Sequence, residues 1–122
     1  MNSYQKMMAR IEADEKIIID GATGTELERH GVPQLENAWN GGGTLSHPEI
    51  LKQIHKEYIR AGAEIIISNT FATLKTALRD AGVEDNFETY NRRAIKSLRS
   101  SLRYGSERHS YCWWDQSLVM VW

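Results

Sequence analysis

Two short runs of isoleucine are the most regular hydrophobic pattern in the chain. They lie at 17–19 and 65–67, and each is followed directly by polar residues or glycine. Runs of this length are too short for a helix, and β-branched side chains favour strands. Runs that are apolar at every position are typical of parallel strands buried on both faces. The pattern therefore predicts two buried, parallel strands with polar carboxyl ends.

Between and after these strands the apolar residues recur at helical spacing. They predict helices over 25–30, 46–61, 73–80 and 84–103. Several helices run into a glycine, the residue that most readily adopts the left-handed backbone of a carboxyl-terminal cap: Gly31, Gly62 and Gly82. A strand, a helix and a second strand in such close succession predict a right-handed βαβ unit.

The helix predicted over 46–61 has the clearest start. Ser46 is expected to cap its first turn, Pro48 fits the position that follows, and Glu49 completes a capping box. The apolar stripe of this helix is expected to face the core and consists of Ile50, Leu51, Ile54 and Tyr58.

The helix predicted over 84–103 combines an apolar stripe with a basic surface. The stripe comprises Phe87, Tyr90, Ala94, Leu98 and Leu102. The remaining faces carry Arg92, Arg93, Lys96, Arg99 and Arg103. A basic run can bind anions or nucleic acid, but no aromatic residues are interleaved with these cations. A solvated helix face is therefore the favoured interpretation.

Polar residues follow both predicted strands. Asp20 follows the first isoleucine run, and Ser68, Asn69 and Thr70 follow the second. The carboxyl ends of parallel strands share one edge of the sheet, where α/β folds place their chemistry, so these side chains are expected to converge. A second interpretation stays open for Asp20, in which its carboxylate only satisfies backbone donors of the turn.

The segment 34–44 is predicted to be a loop. It contains Trp39 and then three consecutive glycines, Gly41, Gly42 and Gly43. A triple glycine is flexible and offers no side chain to a core. The Lys-Ser/Thr pair of a P-loop is missing, which disfavours a phosphate cradle. We expect a mobile loop that carries the aromatic ring over a pocket.

The two ends of the chain differ from its centre. Residues 1–14 are interpreted as a leader helix or a frayed terminus, because apolar residues there have helical spacing: Tyr4, Met7, Met8 and Ile11. Beyond residue 103 the composition changes, and three of the four tryptophans fall within the last ten residues. Residues 117–122 could form a third strand.

The composition narrows the class of protein. A chain of 122 residues can form one domain with a modest core. Its net charge of −1 does not point to nucleic acid or an anionic membrane, and no apolar run approaches the ~20 residues that span a bilayer. The single cysteine, Cys112, excludes an internal disulfide and favours a reducing compartment, hence a cytoplasmic location. His47 and His55 are interpreted as surface or capping residues, since no pattern of partner ligands accompanies them.

Several segments together resemble the homocysteine S-methyltransferase family in their order and spacing. They are IDGATGTEL at 19–27, LSHPEI at 45–50, YIRAGAEII at 58–66, SNTF at 68–71 and NRRA at 91–94. The resemblance covers about residues 15–103. It implies an α/β fold with parallel strands, namely the N-terminal part of a (β/α)8 TIM barrel with two to three βα units.

The resemblance also implies methyl transfer to the thiol of homocysteine, which gives methionine. In the full-length family zinc keeps this thiol deprotonated for attack on the methyl donor. Asp20 matches the family's strand-one aspartate, at the amino group of homocysteine. Asn69 and Thr70 match the polar tip of the second strand, beside the same substrate. Trp39 matches a loop aromatic that lies over the pocket in relatives.

The chain also departs from the family. The late-strand Gly-x-Asn-Cys and Gly-Gly-Cys-Cys segments that supply the zinc ligands have no counterpart, and Cys112 matches neither. We interpret the chain as a leader helix (1–14), a partial homocysteine-binding barrel domain (15–103) and a divergent tail (104–122), without a zinc ligand set and inactive alone.

Other interpretations remain open. One is a non-catalytic fragment that assembles through an open sheet edge, with itself or with a full-length relative. Another is an unrelated small α/β enzyme that uses Asp20 as a general base or metal ligand.

A partial barrel is expected to be marginally stable or prone to aggregation, because its strands expect neighbours on both sides. Urea unfolding, followed together with light scattering, tests this expectation. A steep, single cooperative transition in a monomeric sample would contradict it.

Overall fold

The computed structural model describes residues 3–108 and 119–120, with side chains over 4–102. Its helices are α1 (Ser3–Glu12), α2 (Gly24–Arg29), α3 (Gly43–Ser46), α4 (Pro48–Arg60), α5 (Lys75–Asp80) and α6 (Phe87–Arg108). Its strands are β1 (Ile66–Ile67) and β2 (Val119–Met120), and short 3-10 turns occupy Asn40–Gly42 and Glu84–Asn86. The predicted helices recur as α2, α4, α5 and α6. Cys112 and the tryptophans of the tail lie outside the described residues.

The strand segments run parallel, as predicted. Ile19 pairs with Ile65 in an isolated parallel bridge. On the other side, β1 pairs in parallel with β2, and Ile66 lies opposite Val119. The second isoleucine run therefore has neighbours along both edges, whereas the first forms a single bridge. Part of the tail predicted as a third strand, 119–120, is indeed a strand.

The predicted burial holds for the second run only. Ile65 and Ile66 are 8% and 3% exposed, whereas Ile18 and Ile19 are 51% and 53% exposed. The expectation that the first run is buried on both faces is therefore wrong. The reason is that Ile18 and Ile19 point to opposite faces of the strand, and over the described part of the chain neither face is fully covered.

Hydrophobic side chains from the helices form two clusters. The first joins α2 and its carboxyl-terminal loop to α4 and contains Leu27, Val32, Leu51 and Ile54, with Ile50 and Tyr58 packed against it. The second contains Ala38, Leu78 and Tyr90. The predicted apolar stripe of α4 is thus confirmed.

The stripe of α6 begins one turn later than predicted. Tyr90, Ala94 and Leu98 are buried, but Phe87, the first residue of the helix, is 38% exposed. The basic residues whose side chains are described, Arg92, Arg93, Lys96 and Arg99, are exposed. This agrees with a solvated helix face.

The glycine caps are confirmed, and the serine cap is not. Gly31, Gly62 and Gly82 have φ of 79°, 104° and 73°, the left-handed conformation that closes a helix. Ser46 instead ends α3, where its Oγ donates to the carbonyl of Gly42 at 3.2 Å. His47 takes the N-cap position of α4 without a side-chain cap, and the predicted capping box is therefore absent.

The triple glycine forms a packed turn rather than the expected open, mobile loop. Gly41, Gly42 and Gly43 are all buried. A Cβ on Gly42 would lie 2.9 Å from Cβ of Leu35, and one on Gly43 would lie 3.1 Å from Cδ1 of Leu27. Both distances are too short for a side chain to fit without movement of its neighbours. The glycines thus enter the core because they have no side chains.

Helix α1 is attached at the amino-terminal end of the strands. The guanidinium of Arg10 donates to the carboxylates of Glu15 and Glu64. Glu64 also accepts a hydrogen bond from the backbone of Ile18 at 3.3 Å. One carboxylate thus connects the helix with both strand segments.

His55 is a buried residue, and its interpretation as a surface or capping histidine is wrong. Its side chain is 0% exposed, on the α4 face that carries Leu51 and Ile54. Neither ring nitrogen has a hydrogen-bond partner in the described structure. Burial lowers its pKa from 6.5 to about 4, because a charged imidazolium is poorly solvated there.

Acid is expected to destabilise the fold through His55. Between pH 6.5 and about 4 the unfolded chain takes up a proton that the folded chain excludes, so the free energy of unfolding falls as the pH falls. The shift corresponds to about 3 kcal/mol over this window. Urea unfolding across the window should show a weaker pH dependence for His55→Leu than for wild type. The exposed-site control, His30→Gln, should retain the wild-type slope, and equal slopes for wild type and His55→Leu would contradict this account.

Candidate functional site

The carboxylate of Asp20 joins the ends of the two strand segments. Its Oδ2 accepts a hydrogen bond from the backbone N–H of Ile67 at 2.9 Å, just beyond the bridge between Ile19 and Ile65. Asp20 is only 7% exposed. The convergence expected from parallel strands is therefore present at this edge.

The other carboxylate oxygen of Asp20 is available. Oδ1 is buried and has no hydrogen-bond partner in the described part of the chain. Burial raises the pKa of the Asp20 carboxyl, against the hydrogen bond from Ile67, which lowers it. One oxygen of Asp20 thus satisfies a backbone donor, as the second interpretation expects, and the other has no partner among the described residues.

The polar residues after β1 point toward different partners. Oγ of Ser68 and Oγ1 of Thr70 are hydrogen bonded to each other at 2.9 Å, and both residues are buried. Nδ2 of Asn69 donates to the carbonyl of Asn40 at 3.2 Å and to Oγ1 of Thr44 at 3.1 Å. Asn69 therefore attaches the tip of β1 to the glycine turn.

Asn40 is a candidate site residue that the sequence analysis missed. It is 2% exposed, yet neither atom of its side-chain amide has a hydrogen-bond partner among the described residues. It lies against the turn that follows Asp20, since a Cβ on Gly24 would be 3.5 Å from its Nδ2. A single asparagine beside glycines has no periodic pattern that would reveal it. Its buried, unpaired amide can donate to and accept from a ligand.

Trp39 lies directly before this asparagine. Its side chain is 47% exposed and its φ is 44°, which is uncommon for a bulky residue. Its carbonyl accepts from the N–H of Leu35 at 2.8 Å, which closes the loop before the turn. The ring is thus held at the surface beside Asn40.

Tyr58 supports the turn that carries Asp20. Its hydroxyl donates to the carbonyl of Ala22 at 2.9 Å. A Cβ on Gly21 would lie 2.9 Å from this hydroxyl, so glycine is needed for the approach. Burial raises the pKa of Tyr58, and the negative charges of Glu26 and Asp20 add to the effect. Tyr58 was predicted as a core residue, and its role at the turn depends on a contact between distant segments.

Asn91 has a structural position behind the site. Its Oδ1 accepts from Oγ1 of Thr73 at 2.8 Å, and its Nδ2 donates to the carbonyl of Thr73 at 3.1 Å. Oγ1 of Thr73 also lies 3.1 Å from the carbonyl of Thr70. These contacts attach α6 to the segment that follows the candidate substrate residues.

The described residues do not fit a catalytic zinc ion. No group of three His, Cys, Asp or Glu side chains that could hold a metal occurs among them. The polar atoms beside Asp20 are amides and hydroxyls, whereas zinc prefers thiolates and imidazoles. Over the same part of the chain no helix is long and apolar enough to cross a membrane.

The structure thus defines an α/β protein with a polar site at the carboxyl ends of parallel strand segments. Residues 17–114 match the sequence profile of the family described as Homocysteine S-methyltransferase. The chain belongs to this family, which confirms the resemblance found in the sequence.

Relatives from the same family are much longer than this chain. The chain is 30% identical to Homocysteine S-methyltransferase 4 of Zea mays over 93 residues, which are 75% of this chain and 27% of the maize protein. It is 31% identical to Selenocysteine methyltransferase of Astragalus bisulcatus over 91 residues, 74% of this chain and 27% of that protein. The chain therefore spans about a quarter of the length of these relatives.

A solved structure has a similar fold. The metallated form of the homocysteine methyltransferase MmuM from Escherichia coli superposes with a TM-score of 0.73 at 22% sequence identity. The match covers 90% of this chain and 38% of the bacterial chain. At this identity the likeness concerns the fold.

Removal of the Asp20 charge is expected to stabilise the fold at neutral pH. Because the folded-state pKa is raised, the stabilising contribution of this group is present below the unfolded pKa of 3.8 and is lost as the pH rises through that value toward the folded pKa. Asp20→Asn keeps an oxygen for the N–H of Ile67 and carries no charge. Its free energy of unfolding at pH 7 should exceed that of wild type in urea titrations, and the gap should close in acid. The control Asp80→Asn, at an exposed carboxylate, should not change stability, and a less stable Asp20→Asn at pH 7 would refute the argument.

Proposed function

We propose that this chain is the homocysteine-binding portion of a homocysteine S-methyltransferase. In this proposal it forms the N-terminal two to three βα units of a (β/α)8 barrel, and the methyl transfer that yields methionine requires parts of the fold outside the described residues. Support comes from the family match over 17–114 and from the superposition on a homocysteine methyltransferase.

The buried, half-paired carboxylate of Asp20 carries the proposal. A free amino acid presents an ammonium group, and a charge-assisted hydrogen bond to Oδ1 of Asp20 would satisfy that oxygen. It would also favour the ionised carboxylate, against the burial that raises its pKa. The amide of Asn40 has unpaired donor and acceptor atoms on the other side of the turn and suits an amino-acid carboxylate.

The other predicted substrate residues would complete this half-site. Asn69 would position Asn40 for the ligand, because Nδ2 of Asn69 donates to the backbone carbonyl of Asn40. Thr70 supports the strand tip from a buried position. Trp39, half exposed at the edge of the glycine turn, would cover the bound side chain. Tyr58 would hold the Asp20 turn in place.

Binding of homocysteine and methylation of its thiol have different requirements. Zinc in the full-length family would hold the thiol as a thiolate, and this chain lacks a fitting ligand set over its described residues. The chain alone is therefore proposed to bind homocysteine without methylating it. The thiol substrate is consistent with the proposed reducing, cytoplasmic location.

Calorimetric titration with homocysteine tests the proposal. The chain should bind homocysteine and bind its analogue without the α-amino group at least about tenfold more weakly, since a hydrogen bond to a charged group contributes about 1.5–3 kcal/mol. Asp20→Asn should lose homocysteine affinity by a similar factor, and Asp80→Asn should bind as wild type. Equal affinity for both compounds would refute the role of Asp20.

Zinc content and methyl transfer, measured on the same sample, test the second half of the proposal. We expect neither bound zinc nor turnover. About one zinc per chain with turnover would show that the chain assembles a complete site, and the view of it as a binding portion would then be wrong.

A second candidate function is assembly through an open strand edge, either as a non-catalytic pair of chains or with a longer relative. The exposure of Ile18 and Ile19, 51% and 53%, favours it. Apolar, β-branched residues on an uncovered strand edge are a common site of strand pairing.

A further inference from the structure

One side of α6 packs against α4, and the basic residues of α6 lie on the opposite side. Oγ of Ser101 donates to the carbonyl of Lys52 in α4 at 3.2 Å, which marks the packed side. At about 100° per residue, Arg92, Lys96 and Arg99 lie about 140–180° around the helix axis from Ser101. All three are exposed. These cations therefore point away from the helix against which α6 packs.

A groove of about 640 Å³ follows this basic side of α6. Among the described residues, its lining is a continuous stripe of the helix that consists of Asn91, Arg92, Ile95, Lys96, Arg99 and Ser100. At a rise of about 1.5 Å per residue, the stripe is about 14 Å long. Ile95 is half-buried in its centre, and exposed cations flank it. An elongated groove with an apolar centre and charged borders is suited to an amphipathic helix.

Two of the three cations in this α6 groove have no ion-pair partner among the described residues. Arg92 pairs with Glu88, one turn earlier in the same helix. Lys96 and Arg99 form no ion pair within the described part of the chain. The described lining of the groove also contains no acidic residue. The groove is thus positively charged, and acidic side chains complement it.

The order of the strands indicates which element the fold places beside α6. The segment 17–19, β1 and β2 lie side by side in chain order, and all three are parallel. Right-handed crossovers between such strands place their helices on one face of the sheet in the same order. Since α4 precedes β1 and α6 precedes β2, a helix that follows β2 belongs on the side of α6 opposite α4. This is the side that carries the groove.

We propose that the α6 groove is a docking site for an amphipathic helix of a second polypeptide, which carries acidic residues beside its apolar stripe. The apolar stripe packs on Ile95, and the carboxylates pair with Lys96 and Arg99. The docked helix takes the place of the helix that follows β2 in a (β/α)8 barrel. The inference rests on the proposed function only in placing the chain in such a barrel, and it does not depend on the Asp20 site.

Fluorescence anisotropy with synthetic peptides tests the chemistry of the partner. The probe is a labelled amphipathic peptide of about 18 residues, with leucine along one face, glutamate beside it and alanine elsewhere. At about 0.15 M salt it should bind the full chain at least about tenfold more tightly than the same peptide with lysine in place of glutamate, because like charges across an interface repel. A peptide with serine in place of leucine should also bind more weakly, since it has no apolar stripe to pack on Ile95.

Charge reversal within the groove tests where the peptide binds. Lys96→Glu and Arg99→Glu should each weaken binding of the glutamate peptide about five- to tenfold, since each replaces an attraction by a repulsion. The matched control is Arg93→Glu, which makes the same change of charge at an exposed position of α6 outside the groove and should bind as wild type. Circular dichroism checks that the three variants retain their helices.

The opposing outcomes are distinct. Equal binding of the glutamate and lysine peptides, or equal losses from Arg93→Glu and Lys96→Glu, would overturn the docking site. Binding of a DNA oligonucleotide as tight as that of the glutamate peptide would show a general anion surface and would overturn the assignment to a helix. Absence of peptide binding beside normal homocysteine binding would overturn the docking site and leave the main proposed function standing. Peptide binding without homocysteine binding would refute the role of Asp20 alone.

Discussion

The hydrogen bond from the N–H of Ile67 to the Asp20 carboxylate organises the candidate site. It lies one residue beyond the bridge between Ile19 and Ile65 and adds a further contact between the two strand segments. It also holds a carboxylate in a buried position, where its second oxygen has no partner in the described structure. Because Tyr58 fixes the following turn from α4, the carboxylate is supported on two sides. A structural contact and the proposed ligand contact thus share one side chain.

Local signals in the sequence predicted the elements well. Gly31, Gly62 and Gly82 end helices because glycine, which has no Cβ, adopts a positive φ without steric cost. The stripe of α4 and the parallel relation of the strands follow from periodicity and from the short spacing along the chain. The convergence of Asp20 with the end of β1 could be predicted for the same reason, since topology alone requires it.

Features that depend on distant neighbours could not be predicted in this way. The burial of His55 and the exposure of Ile18 depend on which segments pack against them, and the composition of the sequence does not indicate this. Asn40 and Tyr58 reach the site through contacts between segments far apart in the sequence. The residues from Ser46 onward match a capping box, but the hydroxyl of Ser46 donates to the carbonyl of Gly42 in the preceding helical turn instead. Each error therefore arose where tertiary packing overrides a local preference.

The glycine turn positions Asn40 in the candidate site. It lies between the Leu27 cluster on one side and Thr73 on the other, where added Cβ atoms would be 3.1 Å and 3.0 Å from their neighbours. The Leu27 cluster and Thr73 are thus separated here by backbone that carries no side chains. The carbonyl of Asn40, which Asn69 binds, sits at the start of this turn. A methyl group at any of the three glycines would contact these neighbours closely and move the Asn40 amide relative to Asp20. Residues without side chains thereby determine where the Asn40 amide lies relative to the turn that follows Asp20.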